Sequence, residues 1–359
     1  MVPRWPFAPL FSLLWAAGRS GGVSLRRLPL WGVYLLRYLL FEPLRLVERL
    51  LYDRAIEQHE PDDEPLFILG HWRCGTSHLQ TLLYLDSRFT TSTVFRSMFS
   101  DVFLLTERWL APLLNRLARL VRAPFSIQRI PMDVNTPAEA DLGLCCLGSR
   151  FSYTWGHLFP ASFGLWMQER VLAPSPETVA GWLDAYDRLQ RKLSFAAGGQ
   201  RVVLKSPGDS ARLQELARRY PKAKFIYIHR DPVEVFHSNR YLWEVVVKEH
   251  GVQTLESEQV DAMIIEHYGR LLGSYSRQRS QVDSDRLVEL RYEDLRDEPV
   301  ATLERIYAQL ELGEVPAEAV LDFVNNRGAY TAQKYVTSPE LRARLVEGMK
   351  AVEGLAKGS

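Results

Sequence analysis

Cysteine is scarce: Cys74, Cys145 and Cys146 are the only three in 359 residues. An odd number with one vicinal pair is no disulfide framework, so the chain reads as one for a reducing, cytoplasmic setting. The three also lack the paired spacing of a zinc site, and no metal is expected. An excess of either charge is missing too, with 44 Lys and Arg against 43 Asp and Glu and a formal net charge of +1. Nothing in that balance asks for nucleic acid as a partner. Any anion site must therefore be built locally. Internal repeats and low-complexity tracts are absent as well.

Neither of the two apolar stretches near the start is an uninterrupted run long enough to cross a bilayer. PFAPLFSLLWAAG (Pro6–Gly18) follows Arg4 and falls short of the ~20 residues required. AAGRSGG after it is a poor signal-peptide cleavage site. The next stretch, Leu28–His59, is interrupted by Arg37, Glu42, Arg45, Glu48 and Arg49, and Pro43 is expected to bend or break its helix. Two readings stay open for residues 1–60: a helical segment at a membrane surface or over an acceptor pocket, or an apolar helix packed on the domain.

After the turn-rich HEPDDEP (His59–Pro65), residues 61–359 read as an α/β domain. A continuous apolar run at Leu66–Leu69 suits a parallel strand buried on both faces, and Val202–Leu204, Phe225–His229 and Leu287–Tyr292 read as three further strands. Helical patterns follow them: through Leu79, Leu82, Leu83 and Leu85; over ARLQELARRY; after Asp231 as N-cap with Pro232 as first residue; and from about Pro299 to Leu312. Strands alternating with helices give a central parallel sheet wrapped by helices. The part from about residue 89 to 198 reads as a mostly helical insertion. Its aromatics (Phe151, Tyr153, Trp155, Phe159, Phe163 and Trp166) suit an acceptor pocket or lid.

GHWRCGTS (Gly70–Ser77) lies between a strand and a helix with the G-x-x-x-x-G spacing of a phosphate loop. Such a loop turns backbone N–H groups onto an anion at a helix N-terminus, where the dipole adds about half a positive charge. The hydroxyls of Thr76 and Ser77 are further donors. A nucleotide triphosphatase carries Lys after the second glycine; here Thr76 stands there and the cation has moved to Arg73. That suits a 5'-phosphosulfate better than a triphosphate with magnesium. A ligand-free strand-to-helix turn is the plain alternative. Cys74 reads as a small filler rather than a nucleophile, with no His or Asp partner evident.

A second anion site is expected where Arg230 ends a strand and Ser238, eight residues on, tilts back toward it along the helix. The plain alternative is an Arg230–Asp231 surface pair beside an ordinary helical serine. Two anion sites on one sheet are what a nucleotide with a 5'-phosphosulfate and a 3'-phosphate requires.

These segments resemble the sulfotransferase family that uses 3'-phosphoadenylyl sulfate (PAPS). GHWRCGTSHLQTLL is similar to its 5'-phosphosulfate loop, and RVVLKSPGDSARLQELARRYPKAKFIYIHRDPVEVFHSN to its 3'-phosphate segment. LVELRYEDLRDEPVATLERIYAQLEL is similar to its C-terminal strand and helix, and the H-W-R-x-G-T form with PMDVNTPAEAD resembles bacterial members. The resemblance runs from about Leu66 to Leu312. It implies that Arg73, Cys74, Gly75, Thr76, Ser77 and His78 surround the 5'-phosphosulfate. It further implies that Arg230 and Ser238 hold the 3'-phosphate, that Tyr292 lies near adenine, and that Lys205 faces the sulfuryl group. Cys74 departs from the family's usual Ser or Thr, and SPGD after Lys205 offers no catalytic His.

Arg73 and Lys205 would stabilise charge on the bridging oxygen as it leaves. Glu139, in NTPAEAD, is the first choice of base, since a carboxylate entering an aromatic pocket can be raised in pKa by burial; Asp209, His157 and His78 are the alternatives. The acceptor is expected to be a small molecule with an apolar part, lipid-like or aromatic, with peripheral membrane contact through the N-terminal segment. The rival readings are a catalytically inactive nucleotide-binding relative and a P-loop kinase.

Overall fold

In a computed structural model of the chain, residues 8–121 and 133–326 are described, with positions 339, 340, 342, 343 and 345. Arg4, Pro6, Phe7 and the Pro131–Met132 that open PMDVNTPAEAD lie outside the described residues. The chain divides into two compact units, each drawn from alternating stretches of sequence. One comprises Met1–Asp62, Thr91–Val202 and Leu242–Val260; the other comprises Asp63–Thr90, Val203–Tyr241 and Asp261–Ser359.

The second is the sheet unit. LFIL forms β1 (Leu66–Leu69), with all four residues buried. β2 (Phe89–Thr91), β3 (Arg201–Lys205), β4 (Lys224–His229) and β5 (Leu287–Arg291) complete a five-stranded sheet in the order β2-β3-β1-β4-β5. β1 runs parallel to β3 and β4, and β4 parallel to β5. The strand order reverses around β1, which makes the carboxyl ends beside it the crevice where open α/β sheets take ligands. The core beneath joins Leu66, Ile68, Ile226 and Ile228 from the strands to Leu79, Leu82, Leu83, Leu303 and Ile306 from the helices.

Four of these strands match the expected ones. β2 is the addition: three residues, FTT, carry no readable period. β5 stops at Arg291, and Tyr292 opens the helix Tyr292–Asp297 instead of ending the strand. Asp231 caps the helix Pro232–Val245 as expected, its Oδ1 accepting from the N–H groups of Val233 (2.9 Å) and Glu234 (3.1 Å).

The helical unit holds the N-terminal segment. Helix Ala8–Arg19 precedes a second helix, Leu28–Gln58, which runs on through Pro43. The expected break does not occur; a proline removes one backbone donor, and the 31-residue helix absorbs that locally. Leu13, Ala16, Ala17 and Tyr38 pack on Trp155, Phe159 and Trp166 in one core. Trp166 donates its Nε1–H to Ser20 Oγ at 3.0 Å, and Trp15 meets its ring edge-on at 5.6 Å. Five of the six aromatics expected around an acceptor pocket are buried as core, leaving Phe151 half-buried against Gly181. Among the described residues no helix is long and apolar enough to cross a membrane.

Candidate active site

The loop after β1 is held by close backbone packing. Gly70 has φ 140°, and a Cβ there would lie 2.4 Å from the carbonyl oxygen of Ile228 in β4. Its N–H donates to Ser210 Oγ at 2.8 Å, tying the loop after β1 to the one after β3. Asn239, from the helix after β4, donates to the Trp72 carbonyl at 2.9 Å. Arg73 sits at φ 70°, a left-handed conformation uncommon for a residue with a side chain and frequent at functional sites. The turn ends at Gly75 (φ 104°), the N-cap of helix Thr76–Tyr84.

Gly75 is pressed against the Tyr292 ring, where an added Cβ would meet Cδ2 at 2.3 Å. Arg230 lies over the same ring, 4.5 Å from its centroid, and His78 approaches it edge-on at 6.4 Å. The tyrosine just after β5 thus braces the loop after β1. Gly75→Ala would force both a left-handed alanine and a clash with that ring. Nucleotide affinity in titration calorimetry is expected to fall at least ~tenfold, the equivalent of roughly 1.4 kcal/mol of strain.

Cys74 is buried, its thiol 2.8 Å from the His71 carbonyl and 3.1 Å from that of Ile228. Burial pushes the thiol up to about 12, so it stays protonated at neutral pH and acts as a packed filler.

The cations gather at the same end of the sheet. Arg73 donates its Nε–H to Ser238 Oγ at 2.8 Å. Arg230 is tied by Nε (2.7 Å) and Nη2 to Glu234 Oε2, and its Nη1 reaches the Arg73 carbonyl at 3.5 Å. The acid beside Arg230 is therefore Glu234, one turn along, while Asp231 serves as the cap. The i,i+4 spacing was the sequence signal for that pair. Lys205, 3% exposed, ends β3. It pairs in register with Ile68, two residues before Gly70. Arg73, Lys205, Arg230 and Tyr292 thus stand at or just beyond the carboxyl ends of four adjacent parallel strands. Thr76 and Ser77 begin the helix that the loop feeds.

Among the candidate bases, Asp209 is in a buried pair with Arg212 at 2.8 Å, both 1% exposed. A charge fixed in that way serves structure. In the helical unit, Glu139 is the half-buried N-cap residue of helix Ala140–Cys146, with no side-chain capping bond. Its neighbour Asp141 is fully buried and accepts from Ser152 Oγ (2.6 Å) and from Thr154 N–H (3.1 Å) and Oγ1 (2.8 Å). His157 stacks on Phe163 at 5.4 Å and meets Trp243 edge-on. Burial pushes its imidazole down to about 4 against the opposing pull of the Glu139 charge, so it is neutral at pH 7 and a weak base. Among the described residues no group of three His, Cys, Asp or Glu is placed to hold a metal ion.

A glycine-turned strand–loop–helix unit with three cations at neighbouring strand ends of a parallel sheet has the architecture of a phosphate-loop α/β protein. Residues 65–316 match the model of the sulfotransferase family, and the chain belongs to that family. It is 30% identical over 304 residues to omega-hydroxy-beta-dihydromenaquinone-9 sulfotransferase Stf3 of Mycobacterium bovis, a match covering 84% of this chain and 76% of the relative. The Stf3 of Mycobacterium tuberculosis matches to the same extent. Two crystal structures share the fold. Sulfotransferase STF9 from Mycobacterium avium has a TM-score of 0.68 at 17% identity, covering 87% of this chain and 82% of that one. Sulfotransferase STF1 from Mycobacterium tuberculosis has a TM-score of 0.66 at 19% identity, covering 94% and 91%.

Proposed function

We propose that this chain transfers the sulfuryl group of PAPS to a hydroxyl or amine of a partly apolar small molecule in the cytoplasm, without a metal. The observation that carries the reading is the meeting of Arg73, Lys205 and Arg230 at neighbouring strand ends beside the Gly70–Ser77 loop. The acceptor atom attacks sulfur in line, and the bond from sulfur to the bridging phosphate oxygen breaks. Its electron pair leaves with 3',5'-ADP, where Arg73 and Lys205 meet the new charge. The acceptor's proton goes to Glu139. Backbone N–H groups of the loop, with Thr76 and Ser77, hold the 5'-phosphosulfate beside Cys74 and His78. Arg230 and Ser238 take the 3'-phosphate, and Tyr292 the adenine side. A relative named for a hydroxylated dihydromenaquinone supports a lipid-like acceptor, and three free, buried cysteines are in keeping with a reducing compartment.

The test is calorimetry with 3',5'-ADP and 5'-AMP. The first should bind more tightly. Arg230→Ala should weaken 3',5'-ADP by about tenfold to a hundredfold, the loss of a charged hydrogen bond, and leave 5'-AMP nearly unchanged. Equal affinities for the two nucleotides in the unaltered protein would remove the 3'-phosphate site. Magnesium-dependent ATP turnover would replace this reading with a kinase.

A further inference from the structure

Helix Leu28–Gln58 is built inside out. Its buried residues are Tyr38, Glu42, Arg45, Glu48 and Ile56, three of them charged. Arg45 pairs with Glu42 along the helix, and Glu48 with Lys192 of helix Pro176–Ala196. Glu48 Oε2 also accepts from the Leu105 N–H at 3.1 Å. The outward side is the apolar one: Val33, Leu36, Leu40, Val47 and Leu50 are 45–87% exposed. Their spacing runs one stripe along about 25 Å of helix. From Leu28 to Val47 the helix exposes no charge, since Glu42 and Arg45 are buried and Arg37 turns to the Met98 carbonyl. A helix facing water shows the opposite arrangement, and a contiguous apolar patch of this kind marks an interaction surface.

The charges that border the stripe are basic. Arg26 precedes it and Arg54 follows it, with Glu57 the first exposed acid beyond. Helix Phe103–Val121, bonded to Leu28–Gln58 through that Glu48 contact, exposes Trp109, Leu113 and Leu117 beside Arg108, Arg116 and Arg119. Its acid Glu107 is half-buried and paired with Arg96 at 2.8 Å.

We propose that the helical unit rests on an anionic lipid bilayer through the outward face of Leu28–Gln58. Charge chooses this occupant over a second copy of the chain. A two-fold pairing sets the same patch against itself, so Arg26 and Arg54 would meet arginines whichever way the helices ran. Acidic headgroups place phosphates opposite those arginines instead, each such contact giving about a fivefold gain in binding. Trp109 is of the type that sits at headgroup level. With no helix able to cross among the described residues, the segment lies on the surface. This inference is independent of the sulfuryl donor and acceptor.

Vesicle flotation of the full-length chain tests it, with phosphatidylcholine–phosphatidylglycerol vesicles against phosphatidylcholine alone. The protein should float with the anionic vesicles and be released by salt. The double substitution Leu36→Glu and Leu40→Glu should cut flotation by at least about tenfold, since each exposed leucine loses its apolar burial. Arg26→Glu with Arg54→Glu should abolish the preference for phosphatidylglycerol. Thermal melting of each variant verifies the fold, and salt release of the unaltered protein supplies a readout needing no substitution. Failure to float, equal flotation with both vesicles, or flotation indifferent to the leucine substitutions would overturn the proposal. A dimer in sedimentation velocity that those leucine substitutions dissolve, without vesicle binding, would assign the face to a second copy.

Discussion

Lys205→Ala and Arg73→Ala should each lower kcat by about 10²–10³-fold, the scale for removing one group that meets charge developing in the transition state. Km for the acceptor should change little, because in the proposed reaction both side chains act on the bridging oxygen as the bond to sulfur breaks. The two positions differ in what else they disturb. Lys205 is 3% exposed at the end of β3, so Lys205→Met, which keeps the aliphatic stem, separates loss of charge from loss of packing. Arg73 is at φ 70° and donates to Ser238. Arg73→Lys keeps a cation but loses the planar fork, and should recover only part of the rate. The check is a steady-state sulfation assay with PAPS varied at fixed acceptor and the reverse. A defect confined to the acceptor's Km would move both residues from the chemical step to acceptor binding.

Glu139→Gln is expected to fold and bind 3',5'-ADP normally while losing sulfation by about 100-fold or more, the usual scale for a general base. Folding should survive because Gln keeps the size and an accepting oxygen of Glu at this half-buried position, whereas Asp141 is fully buried and holds Ser152 and Thr154. Asp141→Asn is thus the contrasting variant, expected to lower the melting temperature. His157, held neutral by burial and pushed down to about 4, is the weaker base at neutral pH. His157→Gln should leave the pH–rate profile in place if the proton goes to Glu139. Near-full activity in Glu139→Gln would end that assignment.

The sheet was largely legible because β1 and the centres of β3 and β4 are continuous apolar runs closed by loops, the signature of buried parallel strands, while β5 alternates in burial as an edge strand does. β2 was not, since three residues carry no period. The turn between β1 and the helix that follows was readable from Gly70 and Gly75, whose spacing is itself the turn. Its supports were hidden: Ser210, Asn239 and the packing of Tyr292 on Gly75 join positions far apart in sequence, and nothing local announces them. Pro43 misled as to a break, which is the common outcome for a proline inside a helix, since the helix runs through it. The aromatics of residues 151–166 misled for a different reason, since composition does not distinguish a pocket wall from a core. Helix Ala8–Arg19 takes up Trp155 and Trp166, and no sequence rule foretells that partner.

The strand order also shapes how the chain is made. Both neighbours of β1 come from residues beyond Gln200, so during synthesis Leu66–Leu69 waits on the order of ten seconds for a pairing partner at about 5–20 residues per second. A bare apolar strand is an aggregation hazard in that interval, and charges beside it act as gatekeepers. Asp62, Asp63 and Glu64 occupy the three positions before Pro65 and Leu66. Two of them later find basic partners, Asp62 with Arg201, the first residue of β3, at 3.4 Å and Asp63 with Lys222, just before β4, at 2.6 Å. The acidic stretch thus guards the nascent strand first and fastens the finished fold afterwards.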